Sequence, residues 1–134
     1  MSANSAILYN TTEASVLYIQ KREYLFLTIE GFVNTKTLNE VSKALQDGII
    51  HKHVKKVIFD TSKVKVIKKD DLDFLKESFM NQLSKSVVSK IAFLNSDDIF
   101  GNHSVELLTA FFNQKIPTRA FKCIECAEGW LFNE

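Results

Sequence analysis

Residues able to do chemistry are few in this chain, and they are scattered. Cys123-Ile124-Glu125-Cys126 has CxxC spacing, which serves thiol–disulfide exchange when a strand leads into a long helix. Here only a short terminal helix follows, so the pair reads as packing or as a reducible surface pair. A lone CxxC is also a poor zinc site. His51-Lys52-His53 would set two imidazoles on one side of an extended segment, but a metal needs a third ligand. His103 is the only other histidine, at another helix start, and the HxH pair reads as a solvated helix-to-strand loop. Neither GxGxxG nor GxxxxGK[ST] occurs, so nothing cradles a nucleotide phosphate. GxSxG is also missing, and Asp60 has no acidic pair on an earlier strand to share magnesium with it, because Glu30-Gly31-Phe32 stands there. We therefore expect no catalytic residues, no metal and no cofactor.

The elements that must position these residues follow from hydrophobic period. Ser15–Gln20 and Glu23–Glu30 are β-branched and aromatic runs around a polar break, which predicts an antiparallel hairpin. Ile7-Leu8-Tyr9 offers an edge strand within an N-terminal arm, residues 1–14. From Asn34 the period becomes helical, with Leu38, Val41, Leu45 and Ile49 on one face, a Thr37/Glu40 capping box, and Gly48 near the end. Val54–Asp60 reads as a strand buried on both faces. Asp70 or Asp71 opens a second helix with the stripe Leu72, Leu75, Phe79 and Leu83. Val87–Asn95 is the next strand. A third helix begins near Asn102 and carries Val105, Leu108 and Phe112. Thr118–Ile124 is the last strand, before a short helix with Ala127, Trp130 and Leu131. This alternation predicts one α/β domain over 1–134, a mostly parallel mixed sheet of about five strands with an antiparallel N-terminal hairpin, and about four helices.

Composition narrows the class. The chain has 134 residues, 46% of them hydrophobic and 25% charged, with a formal charge of +1. That balance gives no general attraction to nucleic acid or anionic lipid. No run is long enough to span a bilayer, the N-terminus lacks the pattern of a signal peptide, and two cysteines cannot staple a domain of this size. A cytoplasmic protein is expected.

In open α/β sheets, ligands and partners meet the carboxyl ends of the parallel strands. Those ends read Glu30-Gly31-Phe32, Asp60-Thr61-Ser62 and Asn95-Ser96-Asp97-Asp98. They form a polar rim whose residue types also serve as helix caps and turns.

The element order together with two segments resembles the STAS domain, the fold of sulfate-transporter tails and bacterial anti-anti-sigma factors, and more closely its stand-alone bacterial branch. The first segment is Val57-Ile58-Phe59-Asp60-Thr61-Ser62-Lys63-Val64-Lys65-Val66-Ile67, followed by Lys68-Lys69-Asp70-Asp71-Leu72. The family has here an apolar strand, Asp, a small polar residue, Ser, an apolar hook, and Asp-Ser-Ser-Gly-Leu opening a helix. The second is Arg119-Ala120-Phe121 with Ala127 and Trp130-Leu131, similar to an Ala-x-x-Trp-Leu ending. The resemblance implies a regulatory module that binds a protein partner, kinase-like or a sensor.

One departure stands out. Lys68-Lys69-Asp70-Asp71 replaces Asp-Ser-Ser-Gly, and Asp70 falls where the family's phosphorylated Ser would be. The usual switch lacks its hydroxyl. Asp70 acts there either as a permanent negative charge or as a helix cap. Phe74 breaks the amphipathic pattern, about 160° from the apolar stripe at 100° per residue, which makes it either a contact anchor on a polar face, an ordinary exposed aromatic, or a ring covered by the N-terminal arm. The expected docking surface is therefore Asp60, Ser62, Lys68, Lys69, Asp70, Asp71 and Phe74. Homodimerisation is a further expectation. The alternative is a carrier of a small non-polar, lipid-like ligand, with some of the eleven Phe lining a cleft between sheet and helices. A hydrolase built on Asp60, Asp97 and His103 has the least support, since nothing orients a nucleophile.

Overall fold

A computed structural model describes residues 5–133. Its strands are β1 (Ser5–Asn10), β2 (Ala14–Ile19), β3 (Tyr24–Gly31), β4 (Lys56–Val64), β5 (Lys90–Leu94) and β6 (Thr118–Phe121). The helices are α1 (Thr35–Lys52), α2 (Lys69–Ser84), α3 (Ile99–Phe112) and α4 (Ile124–Leu131). The strands lie in sequence order across one sheet. β1, β2 and β3 pair antiparallel, and β3 through β6 pair parallel. The sheet thus has six strands rather than about five. The N-terminal arm pairs as a full edge strand, and Tyr9 Oη donates to Glu40 Oε1 of α1 at 2.6 Å.

Because every parallel crossover moves the same way across the sheet and has the same hand, α1, α2 and α3 share one face. Strand residues alternate between the faces, as the two-residue period requires. Leu25, Leu27, Val57, Phe59, Ile91 and Phe93 enter the main core under these helices. Phe59 stacks on Phe79, Phe93 and Phe112 at centroid distances of 5.5, 4.9 and 6.3 Å. Burial of each such ring contributes roughly 1.5–3 kcal/mol. These rings pack together between the sheet and the helices. Tyr24, Ile58, Ala92 and Leu94 face the other way and meet Ala127 and Leu131 of α4.

Several boundaries differ from the sequence reading. Asn34, not a Thr37/Glu40 box, caps α1, its Oδ1 accepting from Thr37 N–H at 2.8 Å. Gly48 lies inside α1 and lets Leu8 and Leu25 come close. A Cβ there would sit 2.9 Å from Leu8 Cδ1. The helix continues through His51 to a left-handed cap at His53, φ +51°, so the two imidazoles do not share an extended segment. β4 runs four residues beyond Asp60, to Val64. α3 begins at Ile99 behind an Asp98 cap, earlier than its stripe indicates. Among the described residues, no helix is long and apolar enough to cross a membrane.

Candidate functional site

The carboxyl ends of β3, β4 and β5 form one edge of the sheet. At the end of β4 the register against β3 shifts between Thr28↔Asp60 and Glu30↔Lys63, which inserts an extra residue. Asp60 Oδ1 accepts from both the backbone N–H and the hydroxyl of Ser62, at 3.1 and 2.7 Å. Thr61, buried, donates to the Leu94 carbonyl at 2.6 Å and ties β4 to β5. Asp60 follows Ile58 by two residues and so points to the face that α4 covers. Asp60 and Ser62 are therefore set apart from the start of α2, and their polar atoms are largely engaged with each other.

The loop from β4 to α2 is pinned from three sides. Lys65 N–H donates to the Gly31 carbonyl at 3.0 Å. Ser96 Oγ donates to the Val64 carbonyl at 2.7 Å, and Ser104 Oγ, buried on α3, accepts from Ile67 N–H at 3.2 Å. With Val64 and Ile67 buried, Lys65 and Val66 between them are turned outward.

The first turn of α2 divides the expected docking residues. Lys68 is the N-cap residue and makes no side-chain capping bond. Asp70 is therefore not the cap; it lies exposed in the first turn, where the helix dipole favours a carboxylate. Lys69 bonds Asp73 at 2.9 Å, and that bond raises its pKa. Asp71 is buried and accepts from Thr35 Oγ1 at 2.8 Å, bracing the starts of α1 and α2. Phe74 is half-buried against the main core rather than solvated. Its flank of α2 also carries Ser78, which meets Ser42 of α1. The second helix has a neighbour on that side, and this explains an aromatic there.

Sequence reasoning missed the apolar residues that do reach solvent at this edge. Phe32 is 71% exposed, Val66 48%, Ile99 83% and Phe100 70%. The segments that carry them meet at the Val64–Lys65 backbone. It touches Gly31 beside Phe32, and Gly101 beside Phe100 comes so close that a Cβ would lie 2.1 Å from the Val64 carbonyl. Lys65 Nζ lies 3.8 Å from Asp98 Oδ1, next to Ile99. A shallow cleft of about 320 Å³ runs between Phe32, Thr35, Val66, Lys68 and Asp71. The signal for Phe100 was present in the sequence. It lies about 140° from Val105 at 100° per residue, well off the third helix's stripe.

What the edge can do follows from its topology. Nucleotide crevices form where the strand order reverses. This order never reverses, so the edge is a continuous surface of apolar knobs and charges. Among the described residues, no cluster of three or more metal-binding side chains occurs. Cys123 and Cys126, read from sequence as packing or a reducible surface pair, are joined as a disulfide at the start of α4.

No protein-family model matches the sequence, and no curated protein does. Two solved structures are similar over nearly the whole chain. One is the anti-sigma factor antagonist SpoIIAA in its unphosphorylated form, with a TM-score of 0.65 and 12% identity over 96% of this chain and 98% of that one. The other is an uncharacterised DUF3478-family protein with a SpoIIAA-like fold from Shewanella loihica PV-4, with a TM-score of 0.61 and 16% identity over 98% of each chain. At these identities the likeness is one of architecture: the chain has a SpoIIAA-like fold from its N-terminal hairpin to its last helix.

Proposed function

We propose that this protein is a non-catalytic docking module of the cytoplasm that binds a protein partner at the carboxyl edge of its sheet. The observation that carries the reading is the cluster of exposed apolar side chains Phe32, Val66, Ile99 and Phe100, bordered by Lys68, Lys69 and Asp70. Aromatic knobs inside a polar border are the usual anchors of protein interfaces. SpoIIAA, which shares the fold, is by name the antagonist of another protein. Lys68 through Asp71 hold no hydroxyl, so the module is not switched by serine phosphorylation there, and Asp70 keeps a constant negative charge at the start of α2. Kinase-like and sensor proteins are the first partners to try. Asp60, Ser62 and Phe74 become flanking and supporting residues.

Affinity capture with wild type and with a Phe32→Ser/Phe100→Ser double variant tests this. The wild type should retain a protein that the variant loses, while both melt within about 2 °C of each other, as for surface changes. Equal retention would overturn the reading. Light scattering on the same samples reports whether the partner is a second copy.

One observation favours a small non-polar ligand as a second reading. A cleft of about 420 Å³ opens between the C-terminal ends of α1 and α2, lined by Ile49, Ile50 and Val87. Gentle-ionisation mass spectrometry of the purified protein should reveal a co-purifying molecule in that case, and a bare protein mass would remove it.

A further inference from the structure

Cys123 and Cys126 are not among the residues that the docking reading uses. Cys123 is the N-cap of α4, two residues beyond the end of β6, and its sulfur accepts from Cys126 N–H at 3.2 Å. The two sulfurs are bonded, with the Cα atoms 5.4 Å apart, inside the range a disulfide spans. Cys123 is half-buried and Cys126 exposed. A bridge that closes so short a loop restrains the unfolded chain little, so stapling the fold does not explain it. Its setting is that of an exchangeable pair. It is reachable from solvent, and it sits in the first turn of a helix, whose backbone N–H groups and dipole favour a thiolate.

We propose that Cys123 and Cys126 are a dithiol–disulfide couple that exchanges electrons with a small dithiol or with a dithiol protein. A thiolate of the reductant attacks the exposed sulfur of Cys126, forming a mixed disulfide, and the bond to Cys123 breaks. Cys123 leaves as a thiolate, held by the Cys126 N–H and the start of α4. The second thiol of the reductant then attacks its own sulfur in the mixed disulfide and releases Cys126. Two electrons and two protons pass to the protein, and the reductant leaves as its disulfide. The couple lies on the same sheet edge as the apolar knobs, since Phe121 O accepts from Asn95 N–H of the β5 end at 2.8 Å. It requires nothing of the docking reading.

The full-length protein, equilibrated with mixtures of reduced and oxidised dithiothreitol, quenched in acid and alkylated with N-ethylmaleimide, gives the test by intact mass. Two species should interconvert reversibly as the ratio changes, one without adduct and one with two. Two adducts even in oxidised dithiothreitol would overturn the proposal, as would no adduct after excess reduced reagent under native conditions. Cys123→Ser should carry one adduct at every ratio, and Ser is a good N-cap, so the helix survives the change. Cys126→Ser exposed to glutathione disulfide should gain one glutathione on Cys123. Failure to gain it would deny Cys123 its assigned thiolate role.

Discussion

Asp70 and Asp71 are adjacent residues of one type with opposite fates. A helix turns about 100° per residue, so of two neighbours at a helix start one can face solvent while the other faces the next element. Asp71 turns toward Thr35 and is buried; Asp70 does not. Asp71→Ala should therefore cost about 1–1.5 kcal/mol in denaturant unfolding, the upper part of the range for an ordinary hydrogen bond, since this one is only partly buried. Thr35→Val should cost a similar amount, and the double variant less than the sum. Asp70→Ala should change stability by no more than about 0.3–1 kcal/mol, the helix-dipole contribution at an exposed site. Equal costs at both positions would contradict this division of roles. The residue types at the edge were legible in the sequence. Which carboxylate faced inward was not, because that depends on where α1 begins. The burial of Phe74 stayed open for the same reason: a helix face that is polar in one dimension becomes a contact once a second helix lies beside it.

Element order and type could be read with few errors because the strands are strongly β-branched and the helices strongly periodic. The ends were harder. β4 continues past Asp60 because Thr61 and Val64 are held by the neighbouring β5 and by Ser96 in the loop that follows it, partners that lie about thirty residues away in the chain. β1 becomes a complete strand because Gly48 leaves room for Leu8 against α1, which no local window reveals. Gly101 does the corresponding work at the carboxyl edge of the sheet, where its missing side chain admits the Val64 carbonyl. Gly101→Ala gains helix propensity of about 1 kcal/mol but places a Cβ against backbone that cannot rotate away. The net result should be destabilisation by about 2 kcal/mol or more, with disturbance centred on the start of α3. Heteronuclear NMR checks it: shifts should concentrate at Val64–Ile67 and Asp97–His103 and leave α4 unchanged. An alanine variant as stable as wild type would mean that α3 and β4 are less tightly seated than described.

Across the whole molecule the two faces of the sheet are unequally protected. Three helices cover the main core, while α4 alone, eight residues long, covers Tyr24, Ile58, Ala92 and Leu94. Regions with fewer packed neighbours open first, so amides of α4 should exchange with deuterium before those of α1 and β4, and Leu131→Ala should widen the gap while costing about 2–4 kcal/mol. One polar contact reinforces this thin side: Tyr24, buried, donates its hydroxyl to Glu128 Oε2 of α4 at 2.7 Å. Burial, with the bond to Glu128 second, raises the Tyr24 pKa well above its ordinary value of 10. The neutral phenol is thus favoured more in the folded chain than in the unfolded one. That stabilisation is complete below about pH 10, where an unfolded tyrosine still holds its proton. It declines as pH rises from there toward the folded value, because the unfolded chain loses a proton that the folded chain keeps. Tyr24→Phe removes the bond, leaves the Glu128 carboxylate without its donor, and should lower stability by about 1 kcal/mol at pH 7. In chemical denaturation between pH 9 and roughly pH 11.5, wild type should lose stability more steeply than the variant, so that the two curves meet and then cross. Parallel curves would show that the phenol ionises equally in both states and that α4 is held by Ala127 and Leu131 without help from the hydroxyl.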